Sequence, residues 1–389
     1  MRYVSVGEVP RKRHTLSYGA DGGRLAEELM GEQGFSGASS LLYHRHSPSA
    51  LSSVEAVEVE QPQMHTNHPL TPWHVRTGKL SGAGATADAV RGRVALFSSE
   101  TVTINYFAAE AASGLFRDSR GDELYFVQSG RAVVETVFGA MDAGPGDYVL
   151  VPTSTTHRIV PDHGAGPLSG LVLEARGHID LPARYLTQRG QLREGAPYSE
   201  RDFRVPAAPM LVEDTDVDVL VASRAGFSLH RQVWHPFDVV GWDGSLYPFA
   251  FSVNDFEPIV GRFHQPPPVH QTFEGPGFVV CSFVPRPYDF GEGAVKIPYH
   301  HANVDSDELI FYVSGDFMSR AGSGIEAGSM TLHPAGFVHG PQPGSVEASM
   351  HADHTEEVAV MVDTFGPLML SDAARYASDP TYVLSWGPR

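Results

Sequence analysis

The strongest constraint on the fold of this chain is an internal repeat of glutamate, glycine, proline and histidine at matching spacings. Glu123 is followed after six residues by Gly130, and Glu308 is followed after six residues by Gly315. Each copy continues with a second glycine, five residues, a proline, four residues and a histidine, which are Gly146, Pro152 and His157 in the first copy and Gly328, Pro334 and His339 in the second. Self-similarity at fixed spacings indicates a duplicated structural module.

Composition predicts that both modules consist mainly of β-strands. The 389 residues include 40 glycines and 29 prolines, which separate short segments rich in valine, phenylalanine and tyrosine. Frequent turns between short strands are typical of an all-β sandwich or barrel. Helical periodicity is scarce, and we predict short helices only at Arg24–Met30 and Ser371–Ala377. We therefore expect a mainly β fold with few short helices, in two barrel or jelly-roll modules over residues 1–215 and 216–389.

The charge balance and the cysteine count exclude several classes of partner and site. The chain has 46 acidic and 28 basic residues and a formal charge of −18 at pH 7, so we expect no nucleic-acid partner and no anionic membrane partner. Because Cys281 is the single cysteine, the chain can form neither an internal disulfide nor a cysteine-based zinc site. No segment approaches the roughly 18 apolar residues of a membrane span, and the residues after Met1 lack the apolar core of a signal peptide. The expected location is the cytoplasm.

The repeat resembles the two sequence motifs of the cupin superfamily, G-x5-H-x-H-x3-4-E-x6-G and G-x5-P-x-G-x2-H-x3-N. In the second copy, His301 and Glu308 match the first motif, and Asn303 stands where that motif has its second histidine. In the first copy, Phe116 and Asp118 replace both histidines. The resemblance implies two cupin-like modules, of which the first is degenerate and the second binds a metal.

A narrower resemblance, to the homogentisate 1,2-dioxygenase family, covers nearly the whole chain. The segments that carry it are Leu41–Pro48, Val239–Pro248, His264–Pro268, Pro298–Asn303 and His339–Pro341. It implies an Fe(II) enzyme that opens the ring of homogentisate with O2 to give 4-maleylacetoacetate, a step of tyrosine and phenylalanine catabolism. It also implies a homo-oligomer, either a trimer or a hexamer.

The chemistry of such enzymes narrows the choice of metal ligands. Non-haem Fe(II) dioxygenases hold the ion with two imidazoles and one carboxylate on one face. We predict that His301, Glu308 and His339 form this set. His300 is the alternative to His301, but period-two alternation along a strand turns it to the opposite side. Asp305 and Asp307 are alternative carboxylates that we interpret as turn residues.

Further residues are predicted to contact the substrate. His264 begins a proline-rich segment that restricts its backbone, and the family resemblance implies that it is the acid/base catalyst. His270 is the alternative catalyst. Asn303, His333 and His270 are expected to line the substrate site. Phe317 is also expected there, at a position where the family commonly has a tyrosine, and Tyr312 is a substitute for that hydroxyl.

The substitution at Phe317 keeps a second substrate class open, namely a gentisate-like acid or a substituted homogentisate. A third hypothesis is a non-catalytic cupin that only binds a ligand. The basic residue that faces the substrate carboxylate is not determined by the sequence, and Arg320 is one candidate.

Several other histidines have simpler interpretations. The pair His44 and His46 lacks a nearby carboxylate in sequence and is weak evidence for a metal site. His157 is interpreted as a hydrogen-bonded core residue of the degenerate module. His65, His68 and His74 lie in a proline-rich segment and are expected in solvent or at a subunit contact.

Overall fold

The computed structural model describes residues 3–80, 88–320 and 322–387, and strands dominate it. In chain order the strands are β1 Val4–Gly7, β2 Ala26–Gly31, β3 Ser39–His44, β4 Leu51–Val57, β5 Met64–His65, β6 Trp73–Arg76, β7 Val94–Ser98, β8 Val102–Ala109, β9 Leu115–Asp118, β10 Glu123–Ser129, β11 Ala132–Thr136, β12 Gly139–Ala143, β13 Asp147–Val151, β14 His157–Pro161, β15 Leu168–Ala175, β16 Phe203–Arg204, β17 Thr215–Ser223, β18 Gly226–Trp234, β19 Val239–Gly244, β20 Phe249–Ser252, β21 Gln271–Gly275, β22 Phe278–Phe283, β23 Arg286–Pro287, β24 Asp307–Ser314, β25 Ser329–His333, β26 His354–Thr355, β27 Val358–Thr364 and β28 Met369–Ser371. The α-helices are α1 Ser345–Ser349 and α2 Asp372–Ala377. Short 3-10 helices lie at Gln33–Phe35, Thr77–Lys79, His163–Ala165, Ala183–Tyr185, Glu200–Asp202, Val253–Asp255, Pro267–His270, Met318–Arg320 and Tyr382–Leu384. The mainly β prediction is confirmed.

One of the two predicted helices is present in the structure, and the other is replaced by a strand. Helix α2 forms as expected, and the Ser371 hydroxyl accepts a hydrogen bond from the Ala374 N–H at 3.1 Å as its N-cap. The helix predicted at Arg24–Met30 is wrong, because Ala26–Gly31 forms strand β2, paired antiparallel with β3. Seven residues give an isolated helix little stability, and pairing with β3 satisfies the same backbone groups.

The first module consists of two facing sheets. The nine-stranded sheet has the order β16-β20-β13-β10-β15-β8-β7-β28-β5, and the seven-stranded sheet has the order β12-β11-β14-β9-β17-β18-β4. Phe107, Val134 and Val149 belong to the apolar core between them. A further sheet, β1-β19-β3-β2, packs on the seven-stranded sheet through a cluster that includes Leu42 and Trp242.

The second module has a six-stranded sheet of order β21-β22-β27-β24-β25-β6. Along β24 the side chains alternate between its two faces. Leu309 and Phe311 join the large core shared with the nine-stranded sheet, whereas Glu308, Ile310 and Tyr312 line a cavity on the other face. The alternation of β24 therefore directs the Glu308 carboxylate into the cavity.

The strand pairing crosses the predicted limit at residue 215. Strands β17 to β20 pair with strands of the first half of the chain, and β6 pairs with β25 of the second module. The limits 1–215 and 216–389 stay a prediction. His74, on β6, is buried with its Nε2 2.9 Å from the Ser329 hydroxyl, so its predicted solvent or subunit-contact location is wrong. Long-range strand pairing buries it, while His68 is exposed as expected.

The helices in the described ranges include none that is both long enough and apolar enough to cross a membrane.

Candidate metal centre and substrate cavity

Three predicted ligands converge beside the cavity, and two of them, His301 and Glu308, line it. The backbones of His301 and His339 form an antiparallel bridge, in which each N–H donates to the other's carbonyl oxygen, at 2.8 and 2.9 Å. Glu308 approaches from β24. One candidate ligand atom from each of the three side chains lies within 4.8 Å of the other two. Among the described residues this is the one such group of three or more histidine, cysteine or acidic side chains.

Hydrogen bonds orient both imidazoles. Nδ1 of His301 lies 3.0 Å from the carbonyl oxygen of Tyr299, and Nδ1 of His339 lies 3.0 Å from the carbonyl oxygen of Phe337. Because a carbonyl only accepts, Nδ1 is the donor and Nε2 is available as a ligand. The Nε2 atoms lie 3.6 Å and 3.1 Å from the Glu308 oxygens. An octahedral ion with bonds of about 2.1 Å separates adjacent ligand atoms by about 3 Å. The donor set therefore fits a divalent ion.

His333 contacts the Glu308 carboxylate and does not form part of the cavity wall. Its Nδ1 lies 2.9 Å from Oε1 of Glu308 and its Nε2 lies 2.9 Å from the Tyr382 hydroxyl. Its ring stacks on that of His339, with centroids 4.0 Å apart. Burial lowers the pKa of His333 to about 3, so the ring is neutral and donates through Nδ1. His333 is not among the side chains that line the cavity.

Glu308 is held in its charged form. Burial alone raises the pKa of this carboxyl, but its contacts with His301, His333 and His339 outweigh burial, and the pKa lies well below its ordinary value. Asp363, opposite Glu308 on β27, shows the reverse balance, because burial and the Glu308 charge raise its pKa to about 8. One ionised carboxylate therefore faces the two imidazoles.

The alternative ligands lie elsewhere. His300 and Asp305 are exposed. Asp307 is buried, and its two oxygens accept hydrogen bonds from the N–H groups of Ala335 and Leu368 at 2.8 and 2.7 Å. Asp307 is the first residue of strand β24 and anchors two loops, so its interpretation as a turn residue is wrong.

The cavity beside the three ligands has a volume of about 260 Å³. His264, His270 and Asn303 line it, and their predicted roles toward a substrate stay predictions. Its other lining residues include Phe283, Arg286, Tyr288, Lys296, Tyr299, Ile310, Tyr312, Arg320, Glu357 and Met361. Phe317 is absent from the lining and packs behind Tyr312, with ring centroids 5.1 Å apart. The tyrosine hydroxyl at the wall is therefore that of Tyr312, the substitute considered above.

The two histidines from the proline-rich segment are neutral near pH 7. Burial is the main cause that lowers the pKa of His264, with Asp289 opposing it. The His264 side chain retains 33% of its accessible surface and contacts Tyr299 edge-on, at a centroid distance of 5.0 Å. Burial and the Arg286 charge lower the pKa of His270 to about 3, and its Nδ1 has no hydrogen-bond partner among the described residues.

In the first module a guanidinium lies where the second module gathers ligands. Arg93 Nη1 lies 2.6 Å from Glu123 and 3.1 Å from Glu174. His157 Nε2 is 3.4 Å from Glu123, close to the separation of His339 and Glu308. The Arg93 guanidinium also stacks over Phe116, 5.1 Å from the ring centroid. Neither Arg93 nor Glu174 has a motif that could have revealed this role in the sequence.

His44 and His46 share a carboxylate that sequence spacing did not reveal. His44 Nδ1 lies 2.6 Å from Asp238, and its Nε2 lies 3.0 Å from Glu28. His46 Nδ1 lies 3.0 Å from the other Asp238 oxygen. Both ring nitrogens of His44 are occupied by carboxylates, which fits a charged imidazolium rather than a metal ligand.

Comparisons with known proteins identify the family. A sequence model described as homogentisate 1,2-dioxygenase N-terminal matches residues 42–253. A protein of Saccharolobus solfataricus, whose name assigns it provisionally to the dioxygenases, is 38% identical over 393 residues, which cover 99% of this chain and 98% of that protein. The homogentisate 1,2-dioxygenases of Emericella nidulans and Rhodopseudomonas palustris are 27% and 26% identical over 61% and 73% of this chain, and the matches cover 54% and 65% of those proteins.

A cupin 2 conserved barrel domain protein from Leptotrichia buccalis, whose structure is solved, has 10% identity and a TM-score of 0.34 over 77% of this chain and 96% of that chain. The family model alone spans more than half of the sequence, and the match to the Saccharolobus solfataricus protein extends over nearly all of it. This chain belongs to the homogentisate 1,2-dioxygenase family of dioxygenases.

Proposed function

We propose that the protein is an Fe(II)-dependent dioxygenase that cleaves the aromatic ring of homogentisate or a closely related hydroquinone acid. The observation that carries the proposal is the group of His301, Glu308 and His339 beside a cavity of about 260 Å³ that His301 and Glu308 line. Two imidazoles and one carboxylate on one side of an ion are typical of non-haem Fe(II) oxygenases. Family membership supports the same reaction class.

In this proposal different residues of the chain bind the metal, accept the proton and exclude water. His301 and His339 hold Fe(II) through Nε2, and Glu308 holds it through its carboxylate. When bound, the ferrous ion supplies Lewis-acid activation of the phenol and a position for dioxygen. His264, neutral at pH 7, accepts the phenolic proton at a ring nitrogen. Phe283, Ile310 and Met361 supply apolar surface that excludes water from the ring.

The test is oxygen consumption by protein reconstituted with Fe(II) under anaerobic conditions. We expect one O2 consumed for each homogentisate cleaved. His301→Ala and Glu308→Ala should abolish both the activity and stoichiometric iron binding. His300→Ala is the matched control, since this neighbouring histidine is exposed, and it should retain both. Activity that survives both ligand substitutions contradicts the proposed metal centre.

A related substrate is the second candidate. The location of Phe317 behind Tyr312, rather than at the cavity wall, supports a change in the contacts to the ring substituents. Oxygen uptake with homogentisate, gentisate and alkylated homogentisates ranks these substrates by kcat/KM. A protein that binds no iron after anaerobic preparation supports instead a non-catalytic cupin.

We also propose that the protein acts as a homo-oligomer, a trimer or a hexamer, on a small aromatic acid and O2 in the cytoplasm. The support for these proposals is the family relationship. Light scattering on the purified protein measures the oligomeric state, and a monomeric mass contradicts it.

A further inference from the structure

Arg320 is a buried cation at the cavity wall, and no carboxylate of a described residue lies within ion-pair distance of it. Only 6% of its surface is accessible. Its Nε donates to the Tyr312 hydroxyl at 3.0 Å, and its Nη1 donates to the Gly340 carbonyl at 2.7 Å. No described residue accepts a hydrogen bond from Nη2, and no carboxylate of a described residue forms an ion pair with the guanidinium. Both of its protein acceptors are uncharged.

A guanidinium in this position gains further stabilisation when an anion joins it. Removing a cation from water is costly unless a negative charge and hydrogen bonds compensate. Arg93, buried in the first module, shows the compensated case, because two carboxylates lie within 3.1 Å of it. At Arg320 the charges of Glu308 and Glu357 act only from beyond ion-pair distance. The side chain faces a cavity large enough for a small aromatic ligand.

The other two cations of the cavity, Lys296 and Arg286, differ from Arg320 in burial and in their contacts. Lys296 donates through Nζ to the Asp289 carbonyl at 2.7 Å. Arg286 donates through Nη1 to the Val284 carbonyl, and its Nη2 lies 3.9 Å from Glu357. Glu357 therefore offsets part of the Arg286 charge. Lys296 has no carboxylate of a described residue within ion-pair distance, but Lys296 and Arg286 are only half-buried, whereas Arg320 is buried.

Arg320 is also close to the metal ligands. Gly340, whose carbonyl it binds, directly follows His339 in the chain, and adjacent Cα atoms are about 3.8 Å apart. Tyr312, its other acceptor, lies on the same face of β24 as Glu308. A ring held at the three ligands by its hydroxyl group can therefore present a short acidic substituent to the guanidinium.

We propose that Arg320 binds the carboxylate of the substrate, so that the site selects hydroquinones that carry a carboxylate over uncharged hydroquinones. The inference rests on the proposed function for the identity of the ring. It assigns the charged contact to Arg320 and leaves Phe317 behind the wall, where it supports Tyr312.

The test compares an acid with its uncharged amide. Anaerobic calorimetry on the Fe(II)-loaded protein measures the affinity for homogentisate and for 2,5-dihydroxyphenylacetamide, without turnover. We expect the wild-type protein to prefer the acid by about 30-fold, in the range of hydrogen bonds to charged groups. Arg320→Met should reduce that preference to less than about 3-fold, by weakening the binding of the acid and sparing the amide, whereas Arg320→Lys should restore part of it. Lys296→Met tests the competing cation of the cavity wall, and this variant should keep an acid preference close to that of the wild type.

Three results overturn the inference: a wild-type protein without acid preference, an Arg320→Met variant that loses acid and amide equally, or a Lys296→Met variant that loses the preference. If Arg320→Met does not fold, the wild-type protein and Arg320→Lys still decide, because they must prefer the acid. Binding does not require ring cleavage. A protein that selects the acid through Arg320 but consumes no oxygen therefore refutes the proposed dioxygenase activity and supports the carboxylate contact.

Discussion

His333 links the candidate metal centre to the C-terminal end of the described chain. Its Nδ1 donates to Glu308, and its Nε2 accepts from the Tyr382 hydroxyl, so one residue far along the chain sets the tautomer of the ring. Trp386 adds an edge contact to His333 and donates through Nε1 to the Gly340 carbonyl at 3.0 Å. Residues beyond the first ligands of a metal commonly tune its affinity in this way.

We expect Tyr382→Phe to weaken metal binding by roughly 10- to 100-fold, because His333 loses the donor that holds its Nε2 as an acceptor. Competition titration with a chelator, using Co(II) or Fe(II), measures the change. Tyr376→Phe is the matched control on helix α2, where that tyrosine is exposed. Equal affinities for wild type and Tyr382→Phe contradict this role.

His264 provides a prediction on pH dependence. Its pKa lies below 6.5, mainly because of burial, so the neutral ring dominates at pH 7 and becomes protonated only as the pH falls below 6.5. If it accepts the phenolic proton, kcat falls on this acidic side. His264→Gln should lower kcat by roughly 10²- to 10⁴-fold and remove that acidic limb, with iron content unchanged. Stopped-flow and steady-state rates from pH 5 to 8 measure it. His354→Gln, at an exposed position, is the control.

At the scale of elements, a charged histidine joins the four-stranded N-terminal sheet to the loop before β19. Burial alone would lower the pKa of His44, but its hydrogen bonds to Asp238 and Glu28 outweigh burial and raise the pKa from 6.5 to about 9. A raised pKa in the folded state stabilises the protein fully below pH 6.5, and that stability is lost as the pH rises through 9. The difference corresponds to about 3 kcal/mol.

We therefore expect the wild-type protein to lose about 3 kcal/mol more unfolding free energy between pH 6.5 and 9.5 than His44→Gln does. Urea unfolding followed by tryptophan fluorescence across this range measures the difference. His163→Gln should follow the wild-type curve, since His163 is exposed. Parallel curves for His44→Gln and the wild type would show that the imidazolium contributes nothing.

At the scale of the whole molecule, the two modules place corresponding acidic residues in the same register. They differ in the groups that compensate the charge of these residues. Glu123 lies opposite Glu174 on its neighbouring strand, just as Glu308 lies opposite Asp363. In the first module the Arg93 guanidinium neutralises both carboxylates. In the second module the neighbours of Glu308 are histidines, and burial raises the pKa of Asp363. An organic cation in one module thus corresponds to the proposed metal ion in the other.

This arrangement predicts a single iron per chain and a structural role for Arg93. Arg93→Met should destabilise the protein by about 3–5 kcal/mol, because two buried carboxylates lose their partner. Denaturant unfolding measures this loss, and Arg131→Met, at an exposed position, is the control. Elemental analysis of the wild-type protein should find one iron per chain. Two irons per chain would mean that the first module is not degenerate.

The sequence by itself determined the repeat and the local backbone geometry that follows from the repeat. The glycines of the motif occupy left-handed turns in both copies, with φ of +72° at Gly130 and +109° at Gly315, which favours glycine at these positions. The spacing from Glu308 to His339 and strand alternation predicted the group that the structure brings together. These features depend on residues close in sequence, so a pattern can reveal them.

Only the tertiary structure decided which distant residues complete each site. Strand β6 enters the second sheet and buries His74, and Arg93 neutralises Glu123. Tyr382 orients His333, and Arg320 is buried at the cavity wall. Phe317 lies behind Tyr312 for the same reason. Each of these contacts joins segments through packing and desolvation, and no local spacing encodes which partner a buried group will find.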